Sequence, residues 1–117
     1  MKLVEIAMFV ADVDGMAAFY EALLGSPPVA RSEGLAIFMS GATRIFIHQT
    51  YAAGEGELPP EDHTAFEVED VDGECARLAA AGLSVAVPAQ DYYWGRSVYL
   101  RDPAGKMIEL IQAGSGQ

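Results

Sequence analysis

The chain states one short phrase twice. "FVADVDG" occupies residues 9–15 and "EVEDVDG" residues 67–73, so that Val10, Asp12, Val13, Asp14 and Gly15 recur as Val68, Asp70, Val71, Asp72 and Gly73 at a constant offset of 58. In 117 residues that offset is half the length, and the sequence therefore predicts a duplicated structural unit. The residues around each copy follow the same order of patterns. Module one spans about residues 1–58 and module two about 59–113, with a short flexible tail after them.

Strand and helix periods can be read along both halves. In residues 3–10, Val4, Ile6, Met8 and Val10 fall on one strand face and Glu5, Ala7 and Phe9 on the other. Asp12 or Asp14 can cap a helix that runs through Leu24 and ends at Gly25. Its apolar stripe is Val13, Met16, Ala17, Tyr20, Leu23 and Leu24. A short strand at residues 29–32 and the strands "GLAIFMS" and "TRIFIHQ" follow. After the Gly- and Pro-rich "YAAGEGELPPED" the order restarts. "HTAFEVE" is a strand, with Thr64, Phe66 and Val68 on one face and His63, Ala65 and Glu67 on the other. A helix over about residues 72–81 stops at Gly82 and carries the stripe Val71, Cys75, Leu78 and Ala79. "LSVAVPA", "RSVYLRD" and "KMIELIQ" are the last strands, the final pair joined by the turn "DPAG". Neither set of about four strands closes alone. The expected fold is α+β, a single domain of two tandem βαβββ modules that form a curved eight-stranded half-barrel sheet with helices on its outer face.

Composition narrows the function. Hydrophobic residues make up 51% of the chain, enough for a packed core. A lone cysteine, Cys75, leaves no internal disulfide and suits a reducing compartment. Its helical position reads as core filling. The formal net charge is −10, and the seven Lys and Arg form no stripe, which argues against nucleic acid and anionic membranes. No signal peptide and no charge-free run of spanning length can be read, so the expected location is the cytoplasm.

The strand faces turned from the helices carry unexpected polar groups. Glu5 lies there in the first strand, Phe46 and His48 in "TRIFIHQ", His63 in the fifth strand, and Glu109 between Ile108 and Leu110 in the last. Two carboxylates and an imidazole on one concave face need partners. A divalent metal would satisfy them together. Equally, Glu5 or Glu109 could pair with Arg96 or Arg101 while His63 bonds to backbone. In "YYWGRSVYL", Tyr92, Trp94, Arg96 and Tyr99 offer flat rings and a forked cation suited to a ligand-binding wall, or to a packed sheet edge.

"FVADVDGMAAFYEALLG", "HTAFEVEDVDG" and "GRSVYLRDPAGKMIELIQ" together resemble the vicinal oxygen chelate superfamily over almost the whole chain. That superfamily includes glyoxalase I, extradiol dioxygenases, fosfomycin-modifying enzymes and bleomycin-resistance proteins. The resemblance implies metal ligands at Glu5, where the usual residue is His, and at His63 and Glu109. Phe46 stands where glyoxalase I has a fourth, glutamate ligand. It further implies a zinc, manganese, iron, nickel or cobalt ion used as a Lewis acid on a small oxygen-bearing substrate. Glu109 and His48 are then the catalytic candidates, with His48 as base. Phe46, Tyr92, Trp94, Arg96 and Tyr99 are the substrate-binding candidates. The resemblance also implies a homodimer. The other function it allows is a metal-free binder of a cationic, planar antibiotic.

Overall fold

The computed structural model describes residues 1–114. The last residues of the expected tail, 115–117, lie outside the described residues. Eight strands and two helices give the α+β fold and the repeated βαβββ order that the duplication implied. The chain divides into two compact units, one of Glu5–Asp62 and one that joins Met1–Val4 to the chain from His63 onward.

Strand β1 (Lys2–Val10), whose residues from Glu5 on belong to the unit of Glu5–Asp62, leads into helix α1 (Val13–Leu24). Asp12 caps the helix by accepting from Gly15 N–H at 2.9 Å, and Gly25 ends it in the left-handed region at φ 72°. A helix of 12 residues is marginal alone, so packing holds it. Val13 and Ala17 are buried against Ala36, Phe38, Ile45 and Ile47, with Met16, Tyr20 and Leu24 around them. Leu23, expected in that stripe, is exposed instead, because one apolar stripe of this helix is enough to cover two strands. Strands β2 (Ala30–Ser32), β3 (Leu35–Ser40) and β4 (Thr43–Gln49) form an antiparallel run. Strand β4 pairs in parallel with β1, so that Glu5 stands opposite Arg44, Ala7 opposite Phe46 and Phe9 opposite His48.

The other unit is built alike. Strand β5 (His63–Val68) is followed by helix α2 (Val71–Ala80) and then by β6 (Val85–Tyr92), β7 (Gly95–Arg101) and β8 (Met107–Gln112). Val71 and Leu78 are buried with Val68, Val98, Leu100 and Leu110, and Phe66 and Cys75 pack beside them. Ala79, expected in the stripe, faces solvent, since Leu78 takes the contact. Strand β6 continues to Tyr92, past the expected end near Ala89, because its last three residues pair with Gly95, Arg96 and Ser97. Its irregular register around Pro88 is what a residue without N–H imposes on an edge strand. Strand β8 lies between β5, parallel, and β7, antiparallel. Among the described residues no helix is long and apolar enough to cross a membrane.

Candidate metal centre

Glu109 sits in the middle of β8, with Ala65 of β5 and Tyr99 of β7 as its cross-strand neighbours. Its helix-facing neighbour Leu110 is core, so the pleat turns Glu109 to the other face. It is only 4% exposed, and a bare carboxylate so placed would be costly. The structure resolves this by giving each oxygen its own partners. Oε1 lies 3.2 Å from His63 Nε2. Oε2 accepts from the Ser97 hydroxyl at 2.7 Å and from the Trp94 indole N–H at 3.1 Å. The same indole N–H also reaches Ser97 Oγ at 3.1 Å. Burial pushes the Glu109 carboxyl upward, but the bonds from His63, Ser97 and Trp94 outweigh it and hold the group below the usual carboxylate range. Glu109 is therefore an anion in the interior.

Around this pair stand three of the expected aromatic residues. The Tyr99 ring meets the His63 ring edge-on at 6.0 Å, which restrains the imidazole. Tyr92 stacks flat on Trp94 at 4.4 Å and 3°, and meets Tyr99 at 6.1 Å and 87°. Trp94 thus has one face covered and its N–H committed to Glu109 and Ser97. Expected as a substrate wall, it holds the carboxylate. Ser97, fully buried, went unselected in the sequence. Its signal was a small polar residue two positions before Tyr99 on the same strand face.

Arg96 takes no place in this group. Alternation along β7 puts it on the opposite face from Ser97 and Tyr99. Asp72 of α2 accepts from its Nε and Nη2 at 3.1 and 2.9 Å, and Asp91 from its Nη1 at 3.1 Å. These two carboxylates raise its already high pKa further. The expected ligand contact is instead a clamp between helix and sheet. Arg101 donates to the Gly105 carbonyl at 2.9 Å and so braces the β7–β8 turn.

Glu5 has a different cation from either expected one. Arg44 Nε donates to Glu5 Oε1 at 2.5 Å, straight across the parallel β1–β4 register. Arg44 shares its strand face with Phe46 and His48, so the sequence carried this signal too. His48 stands four positions along β4 from Arg44, about 13 Å of strand. Phe46 lies between them, stacked on the His48 ring at 5.8 Å and 14°. Phe9 and Tyr51 complete an aromatic cluster with His48, with ring centroids 5.7 and 6.2 Å away. His48 Nδ1 lies 2.7 Å from the Gln49 carbonyl oxygen, which can only accept. Nδ1 is therefore the donor of this pair, and in the neutral ring the lone pair falls on Nε2.

A shared metal ion fits the imidazole–carboxylate pair. Two ligand atoms at about 2.0–2.2 Å from one ion, at angles from octahedral to tetrahedral, stand ~2.8–3.6 Å apart. His63 Nε2 and Glu109 Oε1 are separated by 3.2 Å. The donor set of imidazole nitrogen and carboxylate oxygen is one that divalent transition ions accept.

A family model described as the Glyoxalase/Bleomycin resistance protein/Dioxygenase superfamily matches residues 2–110. The metallothiol transferase FosB of Shouchella clausii is 28% identical over 107 residues, covering 86% of this chain and 73% of the relative. Two solved structures share the fold. One is a Legionella pneumophila protein described as an NAD-dependent benzaldehyde dehydrogenase, at TM-score 0.71 and 19% identity, covering 92% of this chain and 96% of the other. The second is methylmalonyl-CoA epimerase from Mycobacterium tuberculosis, at TM-score 0.69 and 23% identity, covering 95% and 87%.

Proposed function

The chain belongs to the Glyoxalase/Bleomycin resistance protein/Dioxygenase superfamily, and from that premise we propose a metal-dependent enzyme that acts on a small oxygen-bearing molecule. The observation that carries this reading is the buried His63–Glu109 pair at 3.2 Å, with the second carboxylate oxygen fixed by Ser97 and Trp94. A pair held for stability alone gains little from such burial, since desolvation offsets most of the attraction. A pre-oriented ligand pair does require it, because hydrogen-bonded support sets ligand geometry and basicity. The name of the FosB relative, a metallothiol transferase, agrees with a metal.

Glu5 is proposed as the third ligand. Its side chain lies on the face of β1 away from the α1 core, and its carboxylate adds a second hard oxygen donor. One imidazole and two carboxylates suit zinc, manganese, iron, cobalt or nickel. Bound there, the ion supplies a Lewis acid that polarises an oxygen of the substrate.

The chain's own residues do the rest. Glu109 stays ionised. His63 would hold the ion through Nε2, which must then be free of a proton, any proton there passing to solvent. The edge-on contact with Tyr99 restrains the imidazole's orientation. His48 offers a lone pair at Nε2, but ~13 Å of strand separates it from Glu5's partner position. We therefore assign it to the far end of the ligand, with Phe46 beside it, rather than to proton transfer at the metal. The active form is proposed to be a cytoplasmic homodimer.

Titration of chelator-treated protein with Zn²⁺ or Mn²⁺ tests the reading. One site per chain is expected, weakened at least tenfold by Glu5→Gln. A wild-type protein that takes up neither ion would favour a metal-free binding protein.

A further inference from the structure

Tyr92 is the last residue of β6, and the pairing of Asp91 with Arg96 and Gln90 with Ser97 fixes its side. Gln90 and Tyr92 share the Ser97 face, whereas Asp91 turns with Arg96 toward α2. Its ring is held by the flat stack on Trp94 and the edge contact with Tyr99, so the phenol has little freedom. The hydroxyl at its tip is buried, yet it has no hydrogen-bond partner among the described residues. Buried hydroxyls are nearly always paired, because an unpaired one forfeits its hydration without return. The Trp94 N–H, the Ser97 hydroxyl and both Glu109 oxygens beside it are all engaged. A phenylalanine would fill the same stack without the unpaired group, so the hydroxyl needs a reason outside the fold.

We propose that the Tyr92 hydroxyl is a ligand contact that donates a hydrogen bond to an acceptor oxygen of the small molecule held beside His63 and Glu109. This inference rests on the metal-centre reading. It narrows the ligand to one that carries a second oxygen acceptor, a carbonyl, carboxylate or phosphoryl-type group, on the Tyr92 side of the site. A phenol is protonated at neutral pH, so the proton is there to donate. Arg96 is turned to the helix face, where Asp72 accepts from it.

Oxalate, which has paired carboxylate oxygens, serves as the probe. Wild-type, Tyr92→Phe and Tyr93→Phe proteins are loaded with Mn²⁺, and oxalate affinity is measured by titration calorimetry. Tyr93 is 90% exposed and serves as the neighbouring control. Tyr92→Phe is expected to bind Mn²⁺ as wild type does, to bind oxalate about tenfold more weakly, as loss of one bond to a charged group implies, and to melt at or above wild type without metal. Tyr93→Phe should match wild type in all three. Equal oxalate affinity in wild type and Tyr92→Phe would overturn the proposal. So would a metal-free Tyr92→Phe that melts several degrees lower, because the hydroxyl would then serve the fold. A wild type that binds no Mn²⁺ would sink the metal reading alone, and the melting comparison would still decide whether the hydroxyl is held for the fold.

Discussion

Ser97 Oγ stands 2.7 Å from Glu109 Oε2, hydroxyl to carboxylate, across the antiparallel strands β7 and β8. Both residues are buried, and the bond is charge-assisted, so it is one of the stronger ones available to a side chain. It leaves Oε1 as the oxygen that faces His63. The carboxylate is thereby aimed before any ligand arrives.

Ser97→Ala should therefore act twice. The metal-free protein should lose about 1–3 kcal/mol, because a buried charged acceptor keeps only the Trp94 bond on that oxygen. Metal affinity should fall about 10–100-fold, the usual effect of removing a partner that orients a ligand. Denaturant melts and metal titration read the two effects separately. Unchanged metal affinity would mean that Trp94 alone positions Glu109.

Arg44→Gln should move metal affinity the other way. In the metal-free protein the Arg44 guanidinium occupies Glu5 Oε1, and its charge stands against a cation. Arg44 is partly exposed, so the gain is small, about two- to fivefold tighter binding. Competition against a chromophoric chelator would resolve it. Weaker binding would show that Arg44 orients Glu5 instead of masking it.

The sequence made the duplicated order and the pleat legible because apolar residues alternate cleanly around Glu5, His63 and Glu109. A one-residue slip would have turned all three toward the helices, which fixes the register strongly. What periodicity could not give was which residues meet across strands. The partner of Glu5 is Arg44, through a parallel register between strands 33 residues apart at the nearest. Arg96 stands among site residues in sequence, while alternation puts it on the other face of β7 from Ser97 and Tyr99. Trp94 was read as a wall because an indole's area is visible in a sequence and the direction of its N–H is not.

His48→Ala should leave metal stoichiometry intact. Its ring belongs to the Phe9, Phe46 and Tyr51 cluster, four positions along β4 from Arg44. Its loss should not alter oxalate affinity, since oxalate is too short to span ~13 Å of strand. A drop in oxalate affinity beyond twofold would place His48 at the metal after all.

In solution the protein should scatter light as a homodimer at micromolar concentration, in keeping with the commonest closed symmetry. A monomer mass across that range would remove the dimer from the account and leave the His63–Glu109 pair as it is.

The most direct test of the central claim is the metal content of protein purified without a histidine tag, wild type beside His63→Ala. His63 lies on the face away from the α2 core, so its truncation leaves that core intact, although Glu109 Oε1 then loses its imidazole partner and the protein should melt earlier. The account predicts close to one divalent ion per wild-type chain and almost none in His63→Ala at an unchanged circular dichroism spectrum. Equal, substoichiometric metal in two folded proteins would contradict it and leave a metal-free binding protein as the better reading.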